Sequence, residues 1–484
     1  MGLVRALFGM WAVAVACEAR SQAYLDRTLY PERLHEEVEL LRSAIHEAHP
    51  DPYRYHTRPE LDALIDRVRD SITVPMSLVE FEQALGPVFK GVGDSHCRSE
   101  WPVDMQRTLE REALLLPLQV RVLPEGVFVE EELKGFRSIP VGSRITAING
   151  RPIEKIMEVL LRTVVGDGAN RTFAERMVER EFNVRYHLYV EQTGMYRVEY
   201  RTPDKVANEQ VVFGMTAIEI TSTRKPKGAS MLSWGSTVYP ESAVLWLKLN
   251  TLDLEGLNLG GQRPDRFLQA TLNDAQREKV RTLVIDVRGA GGRELSMAEL
   301  VFSAIAKSPF KMLDAMVVRS IVPPKARPTH AIPESFYASA NARLLLAGKG
   351  DYRVPETDPR LSMHEPMNKA FGGKVYVVCD GYTRDAAAAL VMMVRRQNRG
   401  RVVGEEVGSN AFGFTGGPEW VVTAPNSNLR FHVPLLKYVP AGRGEGPTDR
   451  GEQPNHQAYP TPGGIARGQD ELRASLLEMI QELE

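Results

Sequence analysis

Residues 375–388 read Val-Tyr-Val-Val-Cys-Asp-Gly-Tyr-Thr-Arg-Asp-Ala-Ala-Ala. An apolar run from Val375 to Cys379 has the length and β-branched content of a buried strand. A short turn with Gly381 follows, then an alanine-rich segment that reads as a helix from Asp385 to Arg396. A strand–turn–helix of this kind presents a side chain at a helix N-terminus, where free backbone N–H groups favour a developing negative charge. The residue at that point is Asp385.

Working outward, apolar strands alternate with helices on both sides of this stretch. Strand Ala243–Leu249 precedes a helix near Arg266–Gln276, and strand Thr282–Val287 precedes a helix at Ser296–Ile305. Such alternation predicts an α/β core with parallel strands, assigned to residues 241–466. Trp420–Thr423 and Leu429–Val433 read as β additions, and residues 467–484 as a C-terminal amphipathic helix.

The N-terminal third has helical periodicity. Leu34, Val38, Leu41 and Ile45 recur at three- and four-residue steps, as do Leu61, Ile65 and Val68. A third helix spans Leu78–Phe89, with Ser77 and Glu80 spaced as a capping box. These place a helical region at 17–110. Residues 111–205 mix short strands with a helix over Pro152–Leu161, and Asn149-Gly150 predicts a tight hairpin turn. Residues 206–240, rich in Lys, Pro, Gly and Ser toward their end, read as a connector.

Four segments in order carry a family resemblance. They are Gly93-Asp94-Ser95-His96, Gly142 to Gly150, Leu283 to Gly292, and Thr383-Arg384-Asp385-Ala386-Ala387 followed by Val402-Val403-Gly404-Glu405. Together they resemble the tail-specific (C-terminal-processing) serine peptidases and their tricorn-like relatives. The resemblance implies a crotonase-like peptidase core of α/β class, an N-terminal helical domain and a PDZ-like domain at 111–205. A PDZ-like domain implies a peptide or unfolded segment as partner, captured by strand addition. The alternative for that domain is a spacer.

The resemblance also assigns site residues. The family serine falls on Asp385. The lysine base of the bacterial branch falls on Asn410. Tricorn-like relatives use a histidine preceded by a serine, which falls on Ser95 and His96, and no acidic partner near the C-terminus is recognisable. The oxyanion donors implied are the N–H groups of Gly291 and Ala386, although Ala290 and Arg293 depart from the family pattern. A carboxylate at the serine position is a poor nucleophile toward an amide and repels a nearby oxyanion. The expectation is a degenerate peptidase that still binds peptide, in which restoring the bacterial dyad takes both Asp385→Ser and Asn410→Lys. Two alternatives are a hydrolase built on Ser95, His96 and Asp385, with a carboxylate–imidazole pair activating water, and a structural envelope scaffold. Simpler readings of single residues are Asp385 as a helix N-cap and His96 as a structural histidine.

Composition narrows the class. The chain of 484 residues suggests two or three domains. A net charge of −2 gives no ground for a nucleic-acid partner. Arg5, the apolar run Ala6–Ala16 and Ala14-Val15-Ala16 read as an export signal over residues 1–16. Cys17 follows as a lipidation candidate, the one route to a membrane, so the expected location is the bacterial periplasm or envelope, or secretion. Besides Cys17 there are Cys97 and Cys379, read as buried thiols rather than a disulfide framework. No metal motif or cofactor fingerprint occurs, and His46 and His49 read as surface residues.

Overall fold

The structure is a computed structural model that describes residues 28–133, 138–223, 234–325, 336, 345–346 and 352–482. The export signal and Cys17 lie outside the described residues. Among those described, no helix is long and apolar enough to cross a membrane.

The core is a six-stranded sheet in the order His456–Gln457, Arg401–Gly404, Lys374–Cys379, Thr282–Asp286, Val244–Leu249, Trp234–Tyr239. All neighbours are parallel except the last pair. Parallel strands are covered on both faces, which is why their sequences run apolar without alternation. Every residue of Thr282–Asp286 is buried. The alanine-rich helix, Ala386–Arg396, is buried without a break from Ala386 to Val394. Its small side chains let it pack against helix Leu295–Ser303 inside the largest apolar cluster.

A second, antiparallel sheet is centred on the long strand Arg430–Pro440, paired with Phe414–Thr423, Leu313–Val318 and Arg98–Glu100. The last of these comes from the N-terminal region. Helices Pro31–Ala48, Arg58–Ser71 and Leu78–Val92 form as the periodicity predicts, and Ser77 and Glu80 make the capping box. They share one apolar cluster with Trp420, Phe431 and Val433 of the second sheet. That shared cluster joins the N-terminal helices to the peptidase-like region.

The third sheet holds Leu118–Leu123, Gly126–Glu132, Arg144–Ile148, Met195–Arg201 and Ala207–Phe213, with helices Ile153–Arg162 and Arg171–Tyr189 packed on it. Asn149 and Gly150 both have positive φ, at 50° and 73°, as a tight hairpin turn requires. The expected connector at 206–240 is corrected here. Its first part, Ala207–Phe213, is a strand of the third sheet, and its end, Trp234–Tyr239, is the edge strand of the core. Asn, Glu and Gln on one strand and Gly, Ser and Thr on the other are hard to tell from a loop by composition.

Gly404 ends the core strand Arg401–Gly404 with φ 126°, and a Cβ there would lie 2.0 Å from the Cys379 carbonyl oxygen. Neither the conformation nor the space admits a side chain. Gly404→Ala is expected to destabilise the protein by more than about 2 kcal/mol in urea unfolding. Gly235→Ala, with nothing within 4 Å of the added methyl, should stay within about 0.5 kcal/mol of wild type.

Candidate functional site

Asp385 sits at the turn between strand Lys374–Cys379 and helix Ala386–Arg396 with φ 54° and ψ −124°. A non-glycine residue there carries strain of about 1–3 kcal/mol. Thr383, fully buried, holds the turn: its hydroxyl donates to the Val287 carbonyl at 2.9 Å. The Asp385 N–H donates to Ser409 Oγ at 2.8 Å. Asp385 occupies the N-cap position, but its side chain accepts no bond from the helix.

The carboxylate turns instead to His96. Nε2 of His96 lies 3.2 Å from Asp385 Oδ1, although the two residues come from opposite ends of the chain. The pair meets the distance of an ion contact but not the angle of a hydrogen bond, so Oδ1 is buried without a donor. On the other side of the imidazole, Nδ1 is 3.7 Å from Asp94 Oδ1 and 3.3 Å from Thr415 Oγ1. Thr415 donates to Asp94 at 2.8 Å, and the His96 N–H donates to the same carboxylate at 2.8 Å. Behind Asp94 stands His49, Nε2 at 2.9 Å. Its Nδ1 accepts the Asp51 N–H, so Nε2 carries the proton given to Asp94.

His46 and His49 are thus not surface residues. His49 is buried against Asp94, and His46 is held between Asp62 and Tyr53. Asp94 is the partner of His96 that sequence reasoning missed. The signal was present in Asp94-Ser95-His96: a carboxylate two residues before a histidine folds back onto its backbone N–H.

Burial by itself would lower the basicity of His96, but the Asp385 and Asp94 carboxylates outweigh it and hold the imidazole well above its ordinary range. Burial likewise opposes ionisation of Asp385, and the His96 charge with Arg384 keeps its carboxyl below the usual value. The neighbouring charges therefore favour imidazolium and carboxylate over the neutral pair. A protonated imidazole cannot act as a general base. Ser95 faces elsewhere: its N–H donates to Asp167 Oδ1 at 2.9 Å and its hydroxyl turns to the same group. Burial and the nearby Asp94 charge raise the Asp167 carboxyl. A cavity with room for about one water molecule lies between Asp94, Asp167, Tyr55 and Lys437.

Gly291 borders the site as expected, since a Cβ on it would be 3.8 Å from Asp385 Oδ2. Ala386 is the correction. Its N–H already donates to the Gly292 carbonyl at 3.1 Å, so it faces protein rather than the cleft. The loop uses three successive carbonyls in this way: Ala290 accepts from Arg384, Gly291 from Leu252, and Gly292 from Ala386. Asn410 is also placed differently from a catalytic base. Its side chain accepts from Arg54 and the Phe412 N–H and donates to Tyr55 and the Thr448 carbonyl, and its N–H reaches Asp167. This buried amide ties four parts of the chain together and makes no contact with His96 or Asp385. Cys97 and Cys379 are buried free thiols. Among the described residues no cluster of His, Cys, Asp and Glu is arranged to hold a metal ion.

The charges give a pH signature. The raised His96 contributes stability fully below about pH 6.5, lost as pH rises through its folded value. The lowered Asp385 contributes fully above about pH 4, lost as pH falls through its folded value. The stability difference between wild type and Asp385→Asn should therefore be largest between about pH 4 and 6.5 and shrink on the alkaline side as His96 loses its proton. Urea unfolding across pH measures it, and a pH-independent difference would contradict the ion pair.

Comparison with known proteins agrees with this architecture. Residues 248–454 match the model of peptidase family S41. Among solved structures, mature CPAF superposes with a TM-score of 0.66 at 12% identity, covering 94% of this chain and 97% of that one. Mature CPAF complexed with lactacystin gives 0.64 at 12% identity, covering 94% and 98%. At that identity the likeness is one of fold. No curated protein is significantly similar in sequence. The parallel core and the family match over residues 248–454 agree: this region of the chain is similar to peptidase family S41.

Proposed function

We propose that this protein is an exported, peptidase-fold binding protein that engages peptide or unfolded segments and does not cleave them through a serine acyl-enzyme. One observation carries the reading: the carboxylate of Asp385, the residue that the resemblance puts at the serine position, lies 3.2 Å from His96 Nε2 and raises the basicity of that imidazole. The Ala386 N–H bonded to Gly292 supports it, because acyl transfer needs that donor free for the oxyanion. Binding is supported by the third sheet, the PDZ-like region. Its strand Ala207–Phe213 pairs with Met195–Arg201 and ends the sheet's strand order, and strand addition is the mode of capture we propose for this sheet. Export rests on residues 1–16, and a lipid anchor on Cys17 would keep the protein at the envelope.

Purified protein should not react with a fluorophosphonate probe and should leave unstructured polypeptides intact. Cleavage by wild type that is lost on Ser95→Ala or His96→Gln would establish the hydrolase alternative instead. Asp385→Ser alone should produce weak fluorophosphonate labelling, because the serine would meet an imidazole already backed by Asp94. Adding Asn410→Lys should not help. It buries an ammonium among the Arg54, Tyr55 and Thr448 contacts and should destabilise the protein by about 1–3 kcal/mol. Mass spectrometry of protein from its native cells should find Cys17 as the first residue, with an intact Met1 terminus contradicting export.

A further inference from the structure

The turn that presents Asp385 also carries Tyr382 and Arg384. Tyr382 stacks on Phe173 of helix Arg171–Tyr189, with ring centroids 6.4 Å apart and planes at 22°. The Arg180 guanidinium from the same helix lies 4.6 Å from the Tyr382 centroid, and that of Arg384 lies 5.4 Å away. One aromatic ring thus has two cations within 6 Å of its centroid, and like charges about one ring favour an anion beside them.

Neither cation is well matched within the chain. Among the described residues Arg180, which is exposed, has no ion-pair partner. Arg384 has only Asp385 Oδ2, at 3.8 Å, and that carboxylate is already engaged by His96. Nε of Arg384 is buried and has no hydrogen-bond acceptor. A buried donor without an acceptor is costly, and a guanidinium is shaped for two parallel bonds to a carboxylate. Arg384 lies across Gly291, so a group bound to it would sit beside Asp385.

We propose that Arg384 and Arg180, positioned by Tyr382, form a carboxylate-binding site that selects acidic peptide segments. This rests on the peptide-binding reading above and adds what the site recognises. The carboxylate has two sources, an Asp or Glu side chain or a free peptide C-terminus.

The test uses the full chain and fluorescence anisotropy with a labelled, flexible peptide carrying one internal glutamate and a free C-terminus. Two companion peptides replace the glutamate by glutamine or amidate the C-terminus. One of these changes should weaken binding about tenfold, and which one does so identifies the source. Arg384→Gln and Arg180→Gln should weaken the parent peptide by a similar factor, so that the ratio of parent to sensitive-companion affinity collapses toward one in each variant. Arg180 is exposed, so its variant remains informative if Arg384→Gln does not fold. Binding that is equal for all three peptides and unchanged in both variants overturns the carboxylate site while the peptide-binding reading stands. Absence of binding by any peptide overturns both.

Discussion

The carboxylate of Asp94 is the joint at which three parts of the molecule meet. It accepts from His49 on the N-terminal helices, from Thr415 on the antiparallel sheet, and from the His96 backbone beside it. Buried charge is tolerated only when its lone pairs are filled, and here they are filled from distant segments. The site depends on that joint, because it fixes the ring of His96 opposite Asp385. The shared apolar cluster beneath it, with Phe89 against Phe431, supplies the rigidity that the polar contacts require.

The same arrangement acts on the charge of His96. An imidazole between two carboxylates is stabilised as a cation, and the more firmly it is held, the less it can accept a proton from anything else. The strained backbone of Asp385 and the retained orientation of His96 suit acyl transfer. The atoms that fill these places make a closed, charge-balanced contact instead.

Much of the scaffold was legible in the sequence because its signals are local. Continuous apolar runs marked the core strands, the capping box at Ser77 marked a helix start, and Asn149-Gly150 marked a hairpin. What was not legible depends on partners far away in the chain. Nothing near His49 in sequence shows that Asp94 will bury it. Asn410 looks like a vacated lysine until Arg54, Tyr55 and Thr448 arrive around it. The Ala386 N–H is predictable as a donor, but its acceptor is decided by the path of a glycine loop whose φ angles composition does not encode. Strand Trp234–Tyr239 was missed for a related reason: an edge strand has one apolar face at most and little pattern to read.

The contact between Gly292 and Ala386 is also a weak one. A single backbone hydrogen bond nets about 0.5–1.5 kcal/mol, which favours the closed loop over an open one by only about twofold to tenfold. Taken alone, that contact leaves an appreciable minority of molecules with the donor exposed at any moment. Occlusion of this kind is a shift in population and is reversible by any ligand that offers the N–H a better acceptor. The carboxylate at position 385 is of another order, since no redistribution of conformers removes it.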